Sequence, residues 1–254
     1  MTKKINRVII EIVDDRGNFL PLSDQVPKEL FKLGEVSVLE ILIEEAVSVG
    51  AEDIVFLTEK KDERLSDLLK NLGEKEERLK RKGNPRSRKL KEIKNKFGDL
   101  NFYFEKDFSK ATQKPGDFAY ISSDTICVEN GLSQLMKVFK TSERPVLGLK
   151  PADLGEVKTE KIARGLFKLR GFSDEASYSM TGRGIFTSES RKFFEEAETV
   201  RGAIENMMDR GHTTYGTEID GKVFPLKTET DYLKANIFYS LKNEEVKEFT
   251  KEIL

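Results

Sequence analysis

SVLEILIEEAVSVGAEDIVFLT, residues Ser37–Thr58, carries two periodicities back to back. The apolar residues Val38, Leu39, Leu42, Ile43, Ala46 and Val47 return at helical spacing, so one face of a helix is apolar, and Gly50 stands where a C-terminal cap belongs. The run Asp53–Thr58 follows after a short connection and reads as a strand. Upstream, Val8–Val13 is a β-branched apolar run with turn residues after it, the pattern of a strand buried on both faces. Strand, helix and strand with tight connections predict a right-handed parallel crossover. The opening part of the chain is therefore α/β.

Further along, residues 60–96 are rich in Lys, Glu and Arg, with Leu65, Leu68, Leu69 and Leu72 at helical spacing and a break at Gly83–Pro85. This charged excursion reads as a solvated helical hairpin, with a surface for a partner or an acidic ligand as the other reading. NFYFEKD from Asn101 predicts a third strand, and Phe118 to about Ile121 a fourth, with Ser122, Ser123 and Asp124 at its carboxyl end. In open parallel sheets that end is where ligands bind, because the loops leaving the strands diverge around a crevice. A helix follows at GLSQLMKVFKTS, then strand-like PVLGLKPA, LFKLRGF, YSMTGRGIFTS and KVFPLKT, with helix at RKFFEEAETVRGAIENMMDRG. The tail from about residue 230 is helical, with Tyr232, Leu233, Ile237, Phe238 and Leu241 on one stripe. Neither a repeat nor a Pro/Gly/Ser-rich linker divides residues 1–254, so a single α/β domain is expected.

Composition narrows the classes. At 254 residues and 37% hydrophobic content the chain can bury a full core. The 44 Lys and Arg against 45 Asp and Glu leave a net charge of −1, which excludes a general attraction to nucleic acid or anionic membrane. One cysteine, Cys127, rules out an internal disulfide, and one histidine beside it leaves no soft-ligand cluster of the kind structural zinc requires. High charge with few Cys and His leans towards a thermophilic source. No apolar run reaches the roughly 18 residues needed to span a bilayer, so a cytoplasmic protein is expected. His212 reads as a loop or cap residue.

Several strings, in order along nearly the whole chain, resemble the prokaryotic UDP-glucose pyrophosphorylases of the sugar nucleotidyltransferase family. FLPLSDQVPKELFKL resembles the family stretch in which F-L-P leads to P-K-E; Ser37–Thr58 resembles its first crossover; LKRKGNPRSRKLKEI resembles an excursion of this branch. PGDFAYISSDTI resembles the strand that ends in the family's metal aspartate, and DYLKANIFYSLKNEEVKEFTKEIL its closing helices. The resemblance implies a Rossmann-like, GT-A-like nucleotidyltransferase fold with a mostly parallel central sheet flanked by helices. It assigns Lys28 to phosphate contact in catalysis, Asp124 to Mg²⁺, Ser122 and Ser123 to the nucleotide, and Gly182 and Arg183 within TGRG to the sugar. A homodimer is also implied.

The phosphate loop departs from the pattern. That family carries G-x-G-T-R directly after its first strand, since backbone amides must approach the anion without a Cβ in the way. Anchored on Phe19, Leu20 and Pro21, the five loop positions here fall on Asp14, Asp15, Arg16, Gly17 and Asn18. Two carboxylates about 4 to 6 Å from a triphosphate would each oppose it by roughly a few kcal/mol at an effective dielectric near 20. A register slip would bring Arg16 and Gly17 into nucleotide contact, and D-R-G-N is also a plain turn in its own right. The second metal aspartate aligns near Pro225, which has no ligand atom, and the E-K-P string for the sugar falls near Lys168, Leu169 and Arg170. The second glycine-rich loop shortens to DFSKATQKPG. These losses point to a catalytically impaired paralogue with a regulatory, ligand-binding or partner-binding role, an active relative being one such partner. The alternative is an active UTP:glucose-1-phosphate uridylyltransferase that uses Mg²⁺.

Overall fold

A computed structural model describes residues 4–13, 19, 27–59 and 99–253. The expectations for the turn at Asp14–Asn18 and for the excursion at 60–96 lie outside the described residues. In chain order the strands are β1 (Arg7–Glu11), β2 (Lys32–Leu33), β3 (Val36–Ser37), β4 (Asp53–Leu57), β5 (Asn101–Glu105), β6 (Phe118–Ser122), β7 (Thr125–Cys127), β8 (Val146–Ala163), β9 (Leu166–Phe186), β10 (Tyr215–Glu218) and β11 (Val223–Pro225). The helices are α1 (Val38–Ser48), α2 (Phe108–Ala111), α3 (Gly131–Ser142), α4 (Arg191–Glu195), α5 (Val200–Asp209), α6 (Glu229–Ser240) and α7 (Glu244–Ile253).

Seven strands form the central sheet in the order β10-β8-β9-β6-β1-β4-β5. β1 pairs in parallel with both β4 and β6, β4 with β5, and β10 with β8, whereas β9 runs antiparallel to its neighbours. The chain thus leaves β1 for β4 on one side and returns to β6 on the other. That reversal makes the carboxyl ends of β1 and β6 a topological switch point.

The apolar runs are continuous because both faces of the sheet are covered. Val8 and Ile10 join the core beneath α1 and α3, while Ile9 joins the opposite core with Phe108, Phe193, Phe194 and Ile204. β4 divides in the same way, Ile54 and Phe56 to one side and Val55 to the other. α1 starts as its sequence prescribes: Ser37 and Glu40 form a reciprocal capping box, and Gly50 adopts φ +94 just past the end.

Other elements differ from expectation. LFKLRGF and YSMTGRGIFTS are parts of one strand, β9, which pairs with β8 in a long bulged hairpin. β10 was not anticipated. RKFFEEAETVRGAIENMMDRG breaks into α4 and α5 because Thr199 caps a new helix by accepting from Gly202 N. The tail also breaks, and its expected apolar stripe holds only in part: Leu233 is 48% and Ile237 60% exposed. α6 docks also through buried Ala235 and a close backbone approach, since a Cβ on Gly34 (φ +59) would stand 3.1 Å from Tyr239 O, and Asn236 Oδ1 accepts from Gly34 N. These join the stripe residues Tyr232, edge-on against Phe31, and Phe238, against Phe224. His212 packs edge-on against Phe193, consistent with a loop residue.

Candidate functional site at the carboxyl ends of β1 and β6

The register Glu11↔Ser122 brings the last residues of the two strands side by side. Ser123 N then donates to Glu11 O at 2.9 Å, so the chain stays tied to β1 for one more residue before it turns at Asp124. Four of the residues expected at the site, Lys28, Ser122, Ser123 and Asp124, are brought to this corner. Arg16 and Gly17 lie outside the described residues.

Their roles separate on inspection. Ser123 is fully buried; its hydroxyl donates to Glu29 Oε1 at 2.8 Å and accepts from Val13 N at 3.1 Å. It clamps the end of β1 to the 3-10 turn Lys28–Leu30. The Ser122 hydroxyl donates to Asp124 Oδ1 at 2.6 Å, orienting that carboxylate. Lys28 is buried in the same turn, and its positive charge acts on Glu11. Phe19 is buried edge-on against Phe31.

Sequence reasoning passed over Glu11. Its carboxylate accepts from the Tyr120 hydroxyl, and its pKa is raised above the ordinary value, first by burial and also by the charge of Asp124, against the Tyr120 bond and Lys28. Burial and Glu11 likewise push the Tyr120 phenol well up. An acid ending a strand buried on both faces was the available signal. A cleft of about 940 Å³ opens along the ends of β1, β4 and β5, with Glu11, Thr58, Lys106 and Asp107 in its wall and Glu196 and Glu198 opposite. Its size suits a nucleotide sugar. Its wall is mostly acidic, with Lys106 the basic residue among the described residues lining it.

Arg183 is a correction. Expected to meet a sugar, its side chain is fully buried and paired with Glu45 at 2.9 Å. Its Nη1 donates to Ser122 O at 3.1 Å and Thr125 Oγ1 at 2.9 Å, and its Nη2 to Thr125 O at 3.0 Å. The guanidinium is thus committed to holding the turn that presents Asp124 from beneath. Gly182 serves the same turn: at φ +67, an added Cβ would stand 2.7 Å from Thr125 Oγ1 and 2.9 Å from Ser122 Cβ. Glu45 was legible, since it falls seven residues after Val38 and three after Leu42 on the buried stripe of α1, and an acid there demands a partner. Lys168 pairs with Tyr215 of β10, Leu169 is in the core and Arg170 binds Glu160 on the surface, so the E-K-P positions sit on the hairpin rather than beside β6.

Mg²⁺ is the expected cation, and the described residues do not fit it. Asp124 Oδ2 faces the Lys227 ammonium at 3.8 Å, and Pro225 stands opposite Thr125 in the β11–β7 pair. Among the described residues no cluster of three or more His, Cys, Asp or Glu is placed to hold a metal ion. A divalent cation on the same carboxylate would meet the ammonium at about 4 Å, a repulsion of roughly 2 kcal/mol even at the dielectric of water.

Among the described residues no helix is long and apolar enough to cross a membrane. The chain matches no protein-family model. It is 24% identical to UTP–glucose-1-phosphate uridylyltransferase 1 of Staphylococcus saprophyticus, covering 98% of this chain and 99% of that protein. The Bacillus subtilis UTP–glucose-1-phosphate uridylyltransferase is 22% identical, over 97% and 94% of the two chains. In structure it is similar to the UTP-bound UGPase from Acinetobacter baumannii, at TM-score 0.84, 19% identity and 98% coverage of both chains. A UDP-glucose pyrophosphorylase complexed with UDP-glucose matches at TM-score 0.77 and 16% identity, covering 94% of this chain and 100% of that one. Along its full length, then, the chain is a distant relative of the UTP–glucose-1-phosphate uridylyltransferases and has the UDP-glucose pyrophosphorylase fold.

Proposed function

We propose that the corner between β1 and β6 takes the phosphates of a uridine nucleotide or nucleotide sugar, and that this pyrophosphorylase-like protein transfers uridylyl groups poorly, leaving a ligand- or partner-binding role. The site itself is supported by Lys28 and Asp124 both lying within electrostatic reach of Glu11 at the switch point, and by solved neighbours bound to UTP and to UDP-glucose. The observation that carries the impairment is Lys227 paired with Asp124 while Pro225 lies across from Thr125.

In uridylyl transfer a phosphate oxygen of glucose 1-phosphate attacks the α-phosphorus of UTP and pyrophosphate leaves. The nucleophile is already an anion, so rate comes from positioning and from neutralising charge. Lys28 is a buried ammonium able to do the second. Among the described residues no group of three or more His, Cys, Asp or Glu is placed beside it to hold a cation. An active enzyme remains the second reading, favoured by the retention of Lys28 and Asp124 together.

Purified protein mixed with UTP, glucose 1-phosphate and Mg²⁺ tests the reading through pyrophosphate release. Release near background, with a modest thermal shift by UDP-glucose that Lys28→Ala removes, is expected. Robust release that vanishes in Lys28→Ala and Asp124→Ala would refute the impairment.

A further inference from the structure

Lys227 is held next to Asp124 by the main chain on both sides. Before it, Leu226 N donates to Asp124 O at 2.6 Å, directly after β11 pairs Pro225 with Thr125. After it, Thr228 and Asp231 form the reciprocal capping box that begins α6. A backbone pinned at residues 226 and 228 cannot carry residue 227 away from the turn. From there the ammonium reaches to 3.8 Å from Asp124 Oδ2, while Ser122 donates to Oδ1.

Asp124 uses only part of what that ammonium offers. Lysine carries three donors, and the Lys227 side chain is 65% exposed, so its other donors face the solvent at the switch point. Lys28 brings a second positive charge to the corner, close enough to Glu11 to act against the rise of its pKa. A diphosphate at this corner would meet two positive charges, with Asp124 orienting Lys227.

We propose that Lys227 is the resident cation of this site, binding a phosphate group of a uridine diphosphate ligand in place of a divalent metal ion. The proposal rests on the site assignment above. It makes nucleotide binding independent of Mg²⁺.

The test is calorimetric titration of UDP-glucose into the full chain, with Mg²⁺ and with EDTA. Affinity is expected to agree within about threefold between the two buffers. Lys227→Ala should weaken binding in EDTA about tenfold, the size of one charge-assisted hydrogen bond at an exposed position, and Lys227→Arg should restore most of it. The paired change Pro225→Asp with Lys227→Gly should make binding depend on Mg²⁺. Thermal melts establish that the variants fold. Wild-type binding seen only with Mg²⁺, or an unchanged affinity in Lys227→Ala, would overturn this proposal and leave the site assignment standing. No binding in either buffer would overturn both.

Discussion

Replacing Arg183 with methionine tests whether the buried pair beneath the Asp124 turn holds that turn in place. In the wild type the Arg183 side chain is 0% and the Glu45 side chain 3% exposed, with Arg183 Nε 3.1 and 3.0 Å from the two carboxylate oxygens. Arg183→Met leaves Glu45 with the Leu132 amide at 2.9 Å and takes donors from Ser122 O and Thr125 O. Breaking one side of a buried ion pair costs about 3–5 kcal/mol. Each carbonyl left without a donor adds to that, so a loss of about 4 kcal/mol or more is expected. For a chain of this size that is a fall in Tm of about 8–16 °C. Glu45→Met combined with Arg183→Met should recover more than half of the loss, because well-packed apolar residues often replace a buried pair at little cost. Urea unfolding followed by circular dichroism gives the four free energies of the cycle. A single-variant loss below about 1 kcal/mol, or a double variant as unstable as the two singles summed, would refute the reasoning.

Gly182→Ala should cost roughly 2 kcal/mol, read as a Tm about 4–8 °C lower, because an L side chain is strained at φ +67 and its Cβ would press on Thr125 and Ser122. Glu11 predicts a pH dependence. Its raised pKa means the folded state holds that proton more tightly than the unfolded chain, so this contribution is full below the ordinary carboxylate value and is lost as pH rises through the folded value. Glu11→Gln should flatten that decline and raise the urea midpoint at neutral pH; an unchanged pH profile would contradict it.

What could be read ahead was local. The α1–β4 run announces itself because each of its apolar residues lies within a few positions of the next and the cap residues Ser37, Glu40 and Gly50 adjoin it. β6 and its terminal Asp124 were legible for the same reason. The pieces that escaped depend on residues distant in sequence: Arg183 meets Glu45 across 138 positions. Without that contact, TGRG reads as strand, with a sugar role that only the resemblance implies. Continuous β9 was read as two strands because Gly171, at φ +139, and the bulges opposite β8 interrupt the alternation. The α6 stripe misled because the docking depends on Gly34, far upstream, admitting the backbone of Tyr239. Lys227 carries no signal of its own in the sequence, because it is the β11–β7 pairing that brings it near Asp124.

The measurement that bears most directly on the site is a crystal structure of the chain soaked with UDP-glucose. The account predicts the diphosphate at the carboxyl ends of β1 and β6, with oxygens within hydrogen-bonding distance of the Lys28 and Lys227 ammonium groups. Ligand density elsewhere, such as in the cavity of about 470 Å³ lined by Glu44, Cys127 and Lys242, with the β1–β6 corner empty, would contradict it.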